Sequence, residues 1–327
     1  MASFSLFQSG SLFAFTRKSI PEIVVPGVTL FKPHNATLHQ PEQHLACVSR
    51  TLLKPWQFLA ADVFGPEGFW SMGLATHSGQ PMHLDALMKL REAAGAEEND
   101  LICPRAFPLD ALAAAHLRVF GEQQSRFHHP CAGKHLMMIA ACARHGFSAD
   151  HYWDVDHPLQ RKVLNLVGRE SGEKLTWVTD SCGLPVAAMT MRSLMFMWEK
   201  LALSEEPRVQ QLRALWLDNV RLIGGQRRLD SDIIEAMGRR VIAKEGADGL
   251  LMVQSLPGHG GPVATCLVKI ASGYQPSYLA LALWALLSRT SGLPPVFSDL
   301  TDYLRSRLEE WVPRDQELLI PPFSQPH

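Results

Sequence analysis

Apolar residues recur at helical spacing through the middle of this chain and in short runs toward both ends. Positions three and four apart predict helices over residues 83–94, 109–120, 135–144, 158–169, 189–203 and 208–223. Pro104, Pro158 and Pro207 are placed near helix starts, where a missing N–H costs least. After Arg228 the texture changes. Residues 240–244, 249–254 and 263–270 are short, β-branched and bounded by glycine, which predicts a three-stranded antiparallel meander. Helical spacing returns over 277–289 and 297–311. At the other end, residues 1–40 are proline-rich and irregular, with short strands predicted at 23–25 and 28–31. A further strand is predicted at 45–48, followed by a turn over 51–56 that opens a helix. Residues 69–75 form an apolar run that suits a buried strand or a buried helix equally.

A helical middle flanked by strands from both ends predicts an α+β fold: one mainly antiparallel sheet built from the two termini, with a helical lobe inserted. The sheet lobe is expected at about 20–80 and 240–327, and the helical lobe at about 81–239, within one domain over 1–327. Strands do not alternate regularly with helices, which argues against a doubly wound sheet.

Composition narrows the function classes. With 31 basic and 32 acidic residues the net charge is −1, so nothing points to nucleic acid or an anionic membrane as partner. The longest apolar stretches, such as 278–287, are too short to span a bilayer. Residues 1–18 carry their two cations last rather than first, the reverse of a signal peptide. Six cysteines in 327 residues are too sparse for a disulfide framework. Cys47, Cys103, Cys142 and Cys266 sit in apolar runs and read as small buried hydrophobes. A reducing cytoplasm is the expected setting.

The chemistry-bearing residues are clustered in short blocks. In Arg50-Thr51-Leu52-Leu53-Lys54-Pro55 a hydroxyl and a lysine are three apart at a helix start, one turn apart on one face. A lysine among apolar walls loses its charge and serves as base toward the hydroxyl, as in the Ser-x-x-Lys of penicillin-recognising enzymes. The pattern alone is common, and an N-cap threonine with a solvated lysine satisfies it too. Lys244-Glu245-Gly246 ends a predicted strand, where those enzymes carry Lys-Thr-Gly, and a charged hairpin turn also explains it. Thr76-His77-Ser78-Gly79 offers two hydroxyls and an imidazole on a turn, or an ordinary N-cap. Two cysteine turns complete the set: Pro130-Cys131-Ala132-Gly133-Lys134-His135 and Asp180-Ser181-Cys182-Gly183-Leu184-Pro185. Two thiolates bind Zn²⁺ well, with His135 or Asp180 to complete a site. A nucleophilic Cys131 beside Lys134, or packing alone, explains the same residues.

Together these blocks, with Gly225-Gln226-Arg227-Arg228-Leu229-Asp230, resemble the asparaginase II family of the Rhizobium type, in the family's order and over most of the chain from about 45 to about 270. The resemblance implies hydrolysis of L-asparagine to L-aspartate and ammonia, a fold like that of serine β-lactamases and glutaminases, and a homodimer. It makes Thr51 and Lys54 the first hydroxyl–lysine pair and Thr76 the second hydroxyl, with Lys244 its lysine and Lys269 a weaker candidate. Cys131, Lys134 and Cys182 match the family's zinc ligands, with Asp180 and His135 behind them. Arg50, His77, Ser78, Asp180 and His135 become the expected substrate-binding residues. The chain departs from the family in carrying threonine at positions 51 and 76, where serine is usual, and Pro130 in place of asparagine. The family's N-terminal Arg-Gly…Glu-Ser-x-His element is represented only by His34.

The expected reaction is acyl transfer: Thr51, deprotonated by Lys54, attacks the side-chain amide carbon, and Thr76 with Lys244 passes a proton to the departing ammonia. Zinc activating the water directly is the alternative route. Two other readings compete. One is a β-lactamase or peptidase-type hydrolase, which has no use for the cysteine turns. The other is a non-catalytic or substrate-shifted amino-acid-binding relative, which the two threonines suggest.

Overall fold

The computed structural model describes residues 10–321, so Met1 to Ser9, on which part of the leader reading falls, lie outside the described residues. The chain divides into two compact units. The first comprises residues up to 47, 189–203 and 232 onward; the second comprises 48–188 and 204–231.

The first unit is built on a six-stranded sheet. Its strands are β1 (Ser11–Arg17), β2 (Ile20–Pro33), β6 (Val241–Gly246), β7 (Leu250–Ser255), β8 (Ala264–Ile270) and β9 (Glu317–Leu319), in the order β6-β7-β8-β2-β1-β9; β3 (Ala46–Val48), β4 (Thr176–Thr179) and β5 (Pro185–Thr190) are not part of it. Every pairing between neighbours is antiparallel. Strands from both ends of the chain thus share one sheet, and the fold is α+β. The β1–β2 hairpin turns at Lys18 and Ser19, both at positive φ, the twist that lets two antiparallel strands meet through two residues. Where the sequence suggests an irregular start and two short strands, β2 runs unbroken for 14 residues. Pairing to β1 on one side and β8 on the other overrides the local signal of Pro21 and Pro26. β6 and β7 are buried at every position. Helices Met191–Leu203 and Pro276–Leu287 pack against β7 and β8, and against β8 and β2, respectively. Phe13, Phe15 and Tyr278 meet edge-on or tilted at 5.6–5.7 Å between ring centres.

The second unit is mostly helical. Its main helices are α1 (Lys54–Ala61), α2 (Pro81–Ala94), α3 (Ala111–Val119) and α4 (Ala132–His145), followed by Pro158–Ser171 and Pro207–Asp218. Leu52, Leu53 and Phe58 near α1, Leu87 and Leu90 on α2, and Leu136 to Met138 on α4 are wholly buried. Contacts of α2 and α4 with each other and with a 3₁₀ turn at Gly68–Gly73 form the core of this unit. That turn settles the ambiguous run at 69–75: it is neither strand nor α-helix.

Other departures from the periodicity have local causes. The helix expected over 208–223 breaks at Asn219, and a separate turn covers Val220–Ile223. Pro104 opens no helix; residues 101–110 are extended or irregular. Residues 189–190 belong to a strand, Pro185–Thr190, that pairs with Thr176–Thr179, so the helix begins at Met191. A short helix at Leu229–Ala236 carries no strong sequence signal. All six cysteines are free and buried. Among the described residues no helix is long and apolar enough to cross a membrane.

Candidate active site

The second unit brings together most of the residues singled out by sequence. Arg50, at a positive φ of 49°, opens a 3₁₀ turn at Arg50–Leu53 that runs directly into α1. The turn buries Thr51 and leaves the Lys54 side chain without solvent contact. The Lys54 amine donates to the Ala75 carbonyl and, at 3.2 Å, to the Thr76 hydroxyl. Burial pushes its pKa down, and the nearby Lys134 adds to this against the opposing pull of Cys131. A lowered pKa brings a lysine closer to the neutral form that a general base requires.

Residues 76–78 are fixed by their backbone. Thr76 N–H donates to Ile223 O at 2.8 Å and Ser78 N–H to Gly224 O at 3.0 Å, while Ser78 O accepts from Asp110 N–H at 2.8 Å. Gly225 is required here: at φ +132° a side chain is strained, and a Cβ would stand 2.1 Å from Ser78 Oγ. With the backbone satisfied, the side chains are not. Both ring nitrogens of His77 and the Ser78 hydroxyl are buried and have no hydrogen-bond partner among the described residues. His77 stacks on His83, with ring centres 5.3 Å apart. His83 Nδ1 accepts from Gln80 N–H and its Nε2–H donates to Arg221 O, both at 3.0 Å. Burial pushes His77 well below its ordinary pKa, helped by His83 and Lys54, so its imidazole is neutral. His83 is pushed down to about 4 by burial.

The two cysteine turns meet. Cys131 ends the approach to α4, and its N–H donates to His129 Nδ1 at 3.1 Å. Lys134, one turn into α4, donates to Cys182 Sγ at 3.2 Å. Cys182 Sγ points at Asp180 Oδ2, 3.8 Å away. Asp180 in turn pairs with Arg50 Nη1 at 2.7 Å and accepts from Ser181 N–H at 2.8 Å. The Arg50–Asp180 pair therefore ties the Thr51 turn to the second cysteine turn. The Cys131 and Cys182 thiols influence each other's titration. The Cys182 side chain, with Lys54 and Lys134 nearby, lowers Cys131 well below the ordinary thiol range, while Cys131 and burial raise Cys182. Burial works against the Lys134 charge, but Cys182, Cys131 and Asp180 outweigh it and raise its pKa. His135 lies behind, its Nδ1 accepting from the Tyr152 hydroxyl at 2.7 Å. Burial keeps His135 neutral.

Among the described residues no group of three or more His, Cys, Asp or Glu side chains is arranged to hold a metal. The cysteine cluster supplies two sulfurs, and its third donor is the Lys134 nitrogen. Two soft sulfurs and a nitrogen, all buried, are a donor set that suits zinc, provided the ion displaces the Lys134 proton.

Lys244 belongs to the first unit, on β6 with its backbone opposite Met252, and is fully buried. Lys269 lies on β8 and donates to Asp248 O.

Sequence reasoning missed three supports of this site: the Lys54–Thr76 contact, the His83 ring under His77 and the Tyr152 hydroxyl on His135. Gly225, which opens a block singled out by sequence, is the backbone position that gives Ser78 its room. No curated protein matches the chain. The sequence does match the family profile described as L-asparaginase II, over residues 41–315. That span takes in every block from Arg50 to Lys244, and the chain belongs to the L-asparaginase II family.

Proposed function

We propose that this amidohydrolase cleaves the side-chain amide of L-asparagine, with Thr51 as nucleophile and Lys54 as its base. One observation carries the reading: a fully buried lysine, one turn after Thr51, whose amine also donates to Thr76. In its neutral form Lys54 takes the Thr51 proton as the hydroxyl attacks the amide carbon. Its contact with Thr76 gives that proton a way onward, through the second hydroxyl, to the departing ammonia. Water then releases aspartate by the reverse route.

Arg50, held by Asp180, is placed in this reading on the substrate carboxylate. The unpartnered atoms of His77 and Ser78 are suited to hydrogen-bond a bound amino acid. Cys131, Lys134 and Cys182 would hold zinc, with His135 and Asp180 behind them. A bound zinc ion there supplies Lewis acidity toward a substrate oxygen. Threonine at positions 51 and 76 keeps each hydroxyl and adds a methyl that restricts its rotation.

The test is ammonia release from L-asparagine by the purified protein, with metal content measured on the same sample. Release with bound zinc supports the full reading. Thermal stabilisation by asparagine without ammonia replaces it with a binding protein, and ammonia from glutamine or a substituted amide alone moves the substrate.

A further inference from the structure

We propose that a pocket between α2, α3 and the loop at 226–227 binds an amphipathic monocarboxylate, with its head on Arg227 and its apolar body between the two helices. The pocket measures about 680 Å³, the size of a small-molecule site, and the residues lining it all belong to the second unit. None of Thr51, Lys54, Thr76, Cys131, Lys134 or Cys182 lines it, so it is separate from the candidate active site. Its walls are mainly apolar: Met82 and Leu84 come from α2, and Leu112 and Leu117 from α3. Leu112 is 67% exposed, apolar surface that the fold leaves in water beside a concave site.

The polar groups at the pocket decide the head group. Asp110 is already spent: its Oδ1 accepts from Ala113 N–H at 2.9 Å, and its Oδ2 accepts from the Gln80 side-chain amide at 3.0 Å. Gln80 Oε1 in turn accepts from Gln226 N–H at 3.0 Å. Arg227 is the opposite case. Its side chain is 69% exposed, and Nη2 reaches Asp110 Oδ2 at 3.4 Å, a long contact that leaves most of the guanidinium fork open. A planar carboxylate matches that fork with two parallel hydrogen bonds. Asp110 and Asp85 also border the pocket, and their charge disfavours a dianion such as a phosphate monoester, so a single negative charge suits the site. Among the walls is His128, 7% exposed, whose Nδ1 has no hydrogen-bond partner among the described residues. That atom is left for a bound molecule, rather than the fold, to complete. The proposal does not depend on which amide the enzyme cleaves.

The experiment is isothermal titration calorimetry of the full-length protein with decanoate as the probe, at neutral pH and below its micelle range, beside decanol and decylamine. The expected result is one decanoate per chain, bound about tenfold or more tighter than either uncharged or cationic analogue. Arg227→Gln protein should bind decanoate about tenfold more weakly, and so should Leu112→Glu protein. Both side chains are exposed, so both variants should keep a cooperative melt. Absence of decanoate binding overturns the proposal. So does equal binding of decanol or decylamine, or an affinity that Arg227→Gln leaves unchanged. Self-association that Leu112→Glu abolishes, with no decanoate bound, assigns the pocket to a second copy of this chain and overturns it as well.

Discussion

Each unit of this protein buries a set of polar side chains, and the two sets differ in one respect. In the sheet, Gln254 Nε2 donates to Ser255 O and Ala264 O, and Thr265 donates to Gln254 Oε1 at 2.6 Å. Ser255 Oγ exchanges hydrogen bonds with the Ala264 backbone. Every side-chain polar atom of that network is engaged. In the helical unit the backbone of residues 76–78 is equally well held, yet His77 and Ser78 carry buried polar atoms with no partner. Leaving such a group unpaired costs roughly 1–3 kcal/mol, so a fold keeps it only where something else makes use of it. Both units also bury lysine, which is expensive to take out of water: Lys54 and Lys134 in the helical unit and Lys244 in the sheet. The Gln254 network is closed on itself; the open atoms of His77 and Ser78 mark where a substrate is expected to complete the hydrogen bonding.

Three measurements break or sharpen this contrast. The largest effect concerns His83, whose two ring nitrogens are both used and which titrates near about 4 against an ordinary 6.5. Between those values the unfolded chain binds a proton that the folded chain excludes. The stability from neutral His83 is therefore complete above pH 6.5 and lost as pH falls toward 4, by about 3 kcal/mol. His77 and His135 are shifted in the same direction and steepen the slope. Urea unfolding at pH 7 and pH 4.5 should show it, and His83→Gln protein should lose less between the two. Second in size is Thr265→Val, which strips Gln254 Oε1 of its donor. It should lower unfolding free energy by about 2 kcal/mol and leave turnover per folded molecule unchanged. Smallest is Ser78→Ala. It removes an atom that already has no partner, so stability should stay within about 0.5 kcal/mol of wild type. Its KM for asparagine should nevertheless rise several-fold. If Ser78→Ala destabilises the protein as much as Thr265→Val, the distinction between the two polar sets fails.

Much of this arrangement was legible before any coordinates. The helices through the middle follow from 3.6-residue spacing, which survives because each buries one face, and the meander after Arg228 follows from β-branched runs between glycines. Lys54, Lys134 and the two cysteines stand out because glycine and charge beside them are poor material for a packed core. β1 was not legible. Residues 11–17 carry little signal of their own, and their strand exists because β2 and β9 pair with them from elsewhere in the chain. The Lys54–Thr76 contact was hidden for a similar reason: it joins α1 to an irregular segment 22 residues on, and no periodicity spans the two. The His77–His83 stack depends on a cap, with His83 reaching back to Gln80 N–H, and the intervening proline disguises it.

The most direct measurement is ammonia release from L-asparagine by Lys54→Met protein beside wild type, with the thermal melts of both recorded. Methionine fills the space of the lysine stem without its amine. If Lys54 is the base for Thr51, wild type releases ammonia, and the variant loses about a thousandfold or more while still melting cooperatively. Equal release by the two proteins would contradict it.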